Sequence, residues 1–239
     1  MRVNMAISVK LSHVERFDKK GLIIDHATQL LDEKDLGLYE GEGLVDLRKI
    51  GDDFVQLDRL ISPYFVEYDL RHEQQGFVFE KDFKYYFTKH KFHSYLTNDG
   101  LFLLNIKKKV AESFLKELGK ESGKRTGLRP FVFKKLNIDF DRIIANAENV
   151  TGLWSQVGRG NLTSQAFFGD QVTEDSEVQI ALAQQQTSFV QFDITLSERL
   201  FKIGITKDAS IVFYKGFPQD ASNEVILSTA LAIYDLLIK

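Results

Sequence analysis

The chain contains no cysteine. That excludes a disulfide scaffold, a zinc–thiolate site, an iron–sulfur centre and thiol catalysis, while leaving the compartment open. Only three prolines interrupt the 239 residues, so long rigid linkers are not expected. No stretch approaches 18 uninterrupted apolar residues, and no membrane-spanning helix is expected. The first residues, MRVNMAISVKLSHV, have one early Arg but neither an unbroken apolar core nor a small-residue cleavage site. They do not read as a secretory leader, so the expected location is the cytoplasm. Large net charge is missing as well: the formal balance is -3, which disfavours a generalised nucleic-acid sponge.

What is present is ordinary folding material. Hydrophobic residues make up 44% and charged residues 27%, with 20 Phe and 8 Tyr to fill an interior. Residues 3–11 alternate as a half-buried strand. The run from 81 to 96, KDFKYYFTKHKFHSYL, places Phe83 and Phe87 on one face of a helix, with strand as the alternative for so aromatic a segment. Asn98-Asp99-Gly100 is a turn signal that makes a hairpin tip if strands lie on both sides.

Beyond it the period changes. Val110, Phe114 and Leu118 form an i, i+4 apolar stripe, which predicts an amphipathic helix with lysines on its solvent side. Glu112 and Lys116 are ordered to pair along it. Asp139 or Asp141 can cap a helix over DFDRIIANAEN. Val190, Phe192, Ile194 and Leu196 alternate, then Phe201, Ile203 and Ile205, then IVFY, which predicts a three-stranded meander. A final helix packs through Val225, Ile226, Ala230, Ile233 and Leu237, with Ser222 or Asn223 as its N-cap. The expected fold is α+β: a mixed N-terminal module over residues 1–122, and a C-terminal module over 123–239 whose antiparallel sheet is covered by the terminal helix. One intertwined domain is the alternative.

The chemical signal is a charge asymmetry. Residues 101–135 carry ten Lys/Arg against three Glu, while the stretches on either side are both acidic. The cations are Lys107, Lys108, Lys109, Lys116, Lys120, Lys124, Arg125, Arg129, Lys134 and Lys135. Closely spaced cations meet phosphates, and a Gly-containing loop presents backbone amides without Cβ obstruction. Tyr85, Tyr86 and Phe92 supply aromatic faces for stacking bases. A solvated lysine-rich helix with core aromatics is the competing reading.

Sharper motifs fail. SGKRTG at 122–127 lacks the spacing of a nucleotide phosphate loop. His72-Glu73 is followed by Gly at 76, so no metalloprotease motif forms. His90-x-x-His93 would share one side of a helix, but no third ligand has diagnostic spacing. Asp139-x-Asp141 and Glu174-Asp175-x-Glu177 read as helix starts and solvated loops. Trp154 reads as core or interface packing. No metal and no cofactor is expected.

The expected function is therefore non-catalytic, sequence-nonspecific binding of DNA or RNA through the basic helix and loop. One alternative is a homo-oligomeric or regulatory module that meets an acidic protein partner. Another is a metal-dependent hydrolase or nuclease assembled from distant residues.

Overall fold

The computed structural model describes residues 6–17, 23–24, 28–29, 39–40, 45–49, 61–78, 81–119, 131–159, 162–184 and 186–239. Its first strands are β1 (Ile7–Phe17), β2 (Ile23–Ile24), β3 (Thr28–Gln29), β4 (Tyr39–Glu40), β5 (Val45–Lys49), β6 (Ile61–Val78), β7 (Lys81–Thr97) and β8 (Leu101–Asn105). Helix α1 (Lys108–Leu118), strand β9 (Phe131–Lys134), helix α2 (Phe140–Asn146) and strands β10 (Asn149–Arg159) and β11 (Leu162–Phe168) follow. The chain closes with α3 (Ser176–Ala183), β12 (Thr187–Leu196), β13 (Arg199–Thr206), β14 (Ser210–Lys215) and α4 (Asn223–Ile233), which runs into a π turn at Tyr234–Ile238. The architecture is α+β, built on antiparallel strand pairs.

The chain forms two compact units. One is His13–Lys134; the other joins the residues up to Ser12 to Lys135–Lys239. The expected division between 122 and 123 falls outside the described residues.

In the His13–Lys134 unit the strand order is β8-β7-β6-β5-β2, and the end of β1 from His13 to Phe17 pairs with β9. The dominant feature is the β6–β7 ladder, in register from Ile61↔Thr97 to Val78↔Lys81 with one irregularity between Glu73 and Gly76. The segment expected as a helix over 81–96 is thus a strand. Its aromatic residues, which favour a pleated surface, find in the 18-residue β6 a partner along the whole 17-residue span of β7. Strand β6 also runs through Pro63, which pairs with Tyr95. The Asn98-Asp99-Gly100 turn joins two strands, as the hairpin alternative requires, and Gly100 takes φ +85° there.

One face of this ladder carries Tyr64, Val66, Tyr68 and Leu70 from β6 and Phe92 from β7. Helix α1 closes over it. Val110, Phe114 and Leu118 are buried as their spacing predicts, joined by Ala111, with Leu115 packed at the margin. Phe114 sits 5.6 Å from the Tyr68 ring and meets Phe92 edge-on at 5.3 Å.

Beneath the helix the Tyr68 hydroxyl is 2.7 Å from Ser113 Oγ. Burial pushes its ionisation up to about 12; the Ser113 hydrogen bond opposes this, and the Glu117 and Asp69 carboxylates add to it. A raised folded-state pKa favours the protonated native form. This contribution is therefore intact below the unfolded value of 10.0 and lost as pH climbs from there toward 12. Urea midpoints at pH 9 and pH 11 should show a larger alkaline loss for the wild type than for Tyr68→Phe. Equal losses would remove Tyr68 as their source.

The other unit orders its strands β11-β10-β12-β13-β14, with the Ile7–Lys10 part of β1 paired to β14. The meander forms as its alternation predicts, with Val190, Phe192, Ile194, Phe201, Ile203, Ile205, Ile211 and Phe213 buried. Asp139 caps α2 by accepting from the Arg142 N–H, and Asp175 caps α3 in the same way from Glu177 and Val178. Ser222 caps α4. That helix buries Ile226, Leu227, Ala230, Leu231 and Ile233, whereas Val225, expected on the packing face, is 44% exposed. The packed stripe is rotated toward Leu227 and Leu231.

Candidate nucleic-acid interface

The lysines at 107–109 sit where chain direction and packing force them outward. Strand β8 ends at Asn105, and the first turn of α1 begins one residue after Lys107. Once Val110 and Ala111 point into the core, Lys107 and Lys109 are exposed and Lys108 is half-buried, paired with Glu112 at 3.5 Å. Lys107 is the N-cap residue and makes no side-chain capping bond; the first turn holds no acidic residue. Three cations therefore crowd the positive end of the helix dipole, an arrangement that costs an isolated helix about 0.3–1 kcal/mol per charge. An anion there would reverse the sign of that term.

Lys116 lies exposed two turns further on, with Glu112 on the same outer side. The cation density on α1 is thus concentrated at its start. Lys134 ends β9 and is exposed, in register with His13. Lys135, also exposed, lines a cleft of about 540 Å³ in the Lys135–Lys239 unit together with Asp139, Asp141 and Lys207. Carboxylates balance the cations there. Lys120, Lys124, Arg125 and Arg129, with the Gly-containing loop that carries them, lie outside the described residues.

Tyr86 and Phe92 lie on the same face of β7 and differ in how deeply they are buried. Phe92 is 7% exposed and packed against Phe114. It belongs to the core and has no face for a base, which corrects the stacking role expected of it. Tyr86 is half-buried and stacks on His72 with centroids 4.6 Å apart and planes 8° from parallel. Tyr85 pairs with Glu73 in the ladder; its side chain lies outside the described residues.

That ladder assembles a group which the sequence spacing conceals. His72 pairs with Tyr86 across the strands, and Tyr86, Thr88 and His90 share one face of β7 by alternation. Thr88 Oγ1 lies 2.9 Å from His72 Nε2 and 3.0 Å from His90 Nε2. Burial lowers the proton affinity of His72 below its ordinary 6.5, and Lys109 lowers it further. Burial also lowers His90, followed by His72 and Lys107, with Asp69 opposing. Burial and the neighbouring Lys107 and Lys109 thus bias both imidazoles toward the neutral form.

His90 and His93 do not form the pair a helix would have made. Three residues apart on a strand, they point to opposite faces, and His93 instead meets Phe65 edge-on at 5.8 Å. Among the described residues no group of three His, Asp or Glu is placed to hold a metal ion, and no helix is long and apolar enough to cross a membrane.

Comparison with protein-family models, curated proteins and solved structures finds no match for this chain.

Proposed function

We propose that the His13–Lys134 unit binds nucleic acid without sequence preference, through the start of α1 and the adjoining face of the β6–β7 ladder. The observation that carries this reading is the run Lys107-Lys108-Lys109 at an uncapped helix start with no carboxylate in its first turn. Phosphates are the natural counter-charge for such a cluster. The half-exposed Tyr86–His72 stack offers an aromatic plate of the kind on which single-stranded bases lie.

The test is a salt titration. The Lys107→Gln, Lys109→Gln double variant should bind a labelled single-stranded oligonucleotide more weakly. Its dependence of log K on log salt should be shallower by about 1.4, at about 0.7 per lost phosphate contact on a single strand. Both side chains are exposed, so thermal stability should stay within about 0.5 kcal/mol of wild type. Wild-type protein that binds neither DNA nor RNA at about 50 mM salt would overturn the reading.

A further inference from the structure

A hydroxyl held between two imidazoles is an unusual arrangement on a solvent-reachable sheet face. Thr88 has one proton to give, so at most one of His72 Nε2 and His90 Nε2 can accept from it. The other nitrogen must donate its own N–H to the threonine oxygen. The contact therefore supports opposite tautomers, one Nε2 carrying a lone pair and the other a proton. The bonds of 2.9 and 3.0 Å keep the two nitrogens within roughly 6 Å of one another, a span that lets a base and an acid reach the entering and leaving oxygens of one phosphoryl group. Helix α1, with Lys107 and Lys109 at its start, packs on this same ladder face, and both lysines act electrostatically on the imidazoles.

We propose that this patch cleaves single-stranded RNA by metal-independent transphosphorylation, with His72 as general base and His90 as general acid. The inference rests on the nucleic-acid reading above and adds a reaction to it.

The roles follow from the neighbours. Burial, His72 and Lys107 oppose a proton on His90 while the Asp69 carboxylate favours one; at His72 burial and Lys109 both oppose it. His72 Nε2 takes the proton of a ribose 2′-hydroxyl, and that oxygen attacks the adjacent phosphorus. The P–O5′ bond breaks, and the departing oxygen takes the Nε2 proton of His90 in its imidazolium form, which returns to the neutral ring. The products are a 2′,3′-cyclic phosphate and a 5′-hydroxyl end. One proton enters the protein and one leaves it, with no water, metal or redox partner consumed. Thr88 is a positioning residue: it holds the two nitrogens facing one point in the free protein and gives way to the reacting group. Tyr86, stacked on His72, fixes the plane of the base.

The probe is a fluorescent 15-nucleotide single-stranded RNA, compared with DNA of the same sequence, in the presence of EDTA. Wild-type protein should bind both and cut only the RNA, leaving cyclic-phosphate ends, with a bell-shaped pH–rate profile. His72→Asn and His90→Asn should each slow cleavage at least about 100-fold at saturating RNA. RNA bound by wild-type protein but left intact would overturn the cleavage proposal and leave the binding reading standing. Cleavage surviving in the double histidine variant would also overturn it. Failure to bind either oligonucleotide would remove both readings together. The comparison of RNA with DNA uses wild-type protein alone, so the outcome does not depend on a variant that folds poorly.

Discussion

Phe114→Ala should destabilise the His13–Lys134 unit by about 3–5 kcal/mol, the usual cost of emptying a large aromatic site in a core. Phe114 is fully buried and fills the space between the Tyr68 and Phe92 rings. Alanine at that position leaves a cavity bounded by a sheet whose backbone is fixed by a ladder of cross-strand bonds, so little collapse can compensate. The consequence reaches the interface. α1 has 11 residues, too few to persist in water without packing, and Phe114 lies at the centre of its stripe. Once α1 detaches, the cations at 107–109 lose their fixed relation to His72 and His90. Urea unfolding followed by far-ultraviolet circular dichroism should show the fall in midpoint, and oligonucleotide affinity should drop although no charge has changed. Phe114→Leu, which keeps most of the volume, should cost less than half as much. A Phe114→Ala variant within about 1 kcal/mol of wild type would mean that α1 is held by something other than this contact.

The contrast between α1 and β7 shows what a sequence discloses and what it withholds. The stripe Val110, Phe114, Leu118 has one consistent period, and its flanking lysines have nowhere to go but outward, so helix, orientation and charge were all legible. The same holds for the meander, where strict alternation meets short turns, and for α4, where Ser222 marks the start. The run from 81 to 97 fits more than one period because aromatic residues occupy nearly every phase. Only its end-to-end pairing with β6 resolves it, and that pairing is a tertiary fact. The error carried into chemistry: Phe92 looked available for stacking until strand parity turned it under α1, and His90 looked like a partner for His93 until the same parity separated them. His72, Thr88 and His90 come together through register, not spacing. A sixteen-residue interval between His72 and Thr88 matches no motif, whereas the charge run at 107–109 is local and could be read directly.

Gly216→Ala should be nearly as damaging in the Lys135–Lys239 unit, at about 3–5 kcal/mol, because two independent penalties coincide. The first is conformational: Gly216 follows β14 with φ +120°, a region that an L-residue enters only under strain. The second is steric. A Cβ there would stand 2.7 Å from Phe201 Cε1 and 2.8 Å from its Cγ, well inside van der Waals contact. That ring cannot step aside cheaply: it is 4% exposed and set edge-on to Phe217 at 5.2 Å and Phe213 at 6.3 Å. Gly204 makes the useful comparison. A Cβ at 204 would also meet a ring, that of Phe189, but Phe189 is half-buried and the backbone φ is not in the positive region. Gly204→Ala should therefore cost less than Gly216→Ala. The two penalties at 216 can be separated with a double-mutant cycle through Phe201→Leu, which removes the ring but leaves the backbone alone. On that background Gly216→Ala should retain the conformational part, about 1–3 kcal/mol, and lose the steric part. An undiminished cost would place the whole effect in the backbone; a cost near zero would show that φ at 216 relaxes freely once the ring is gone.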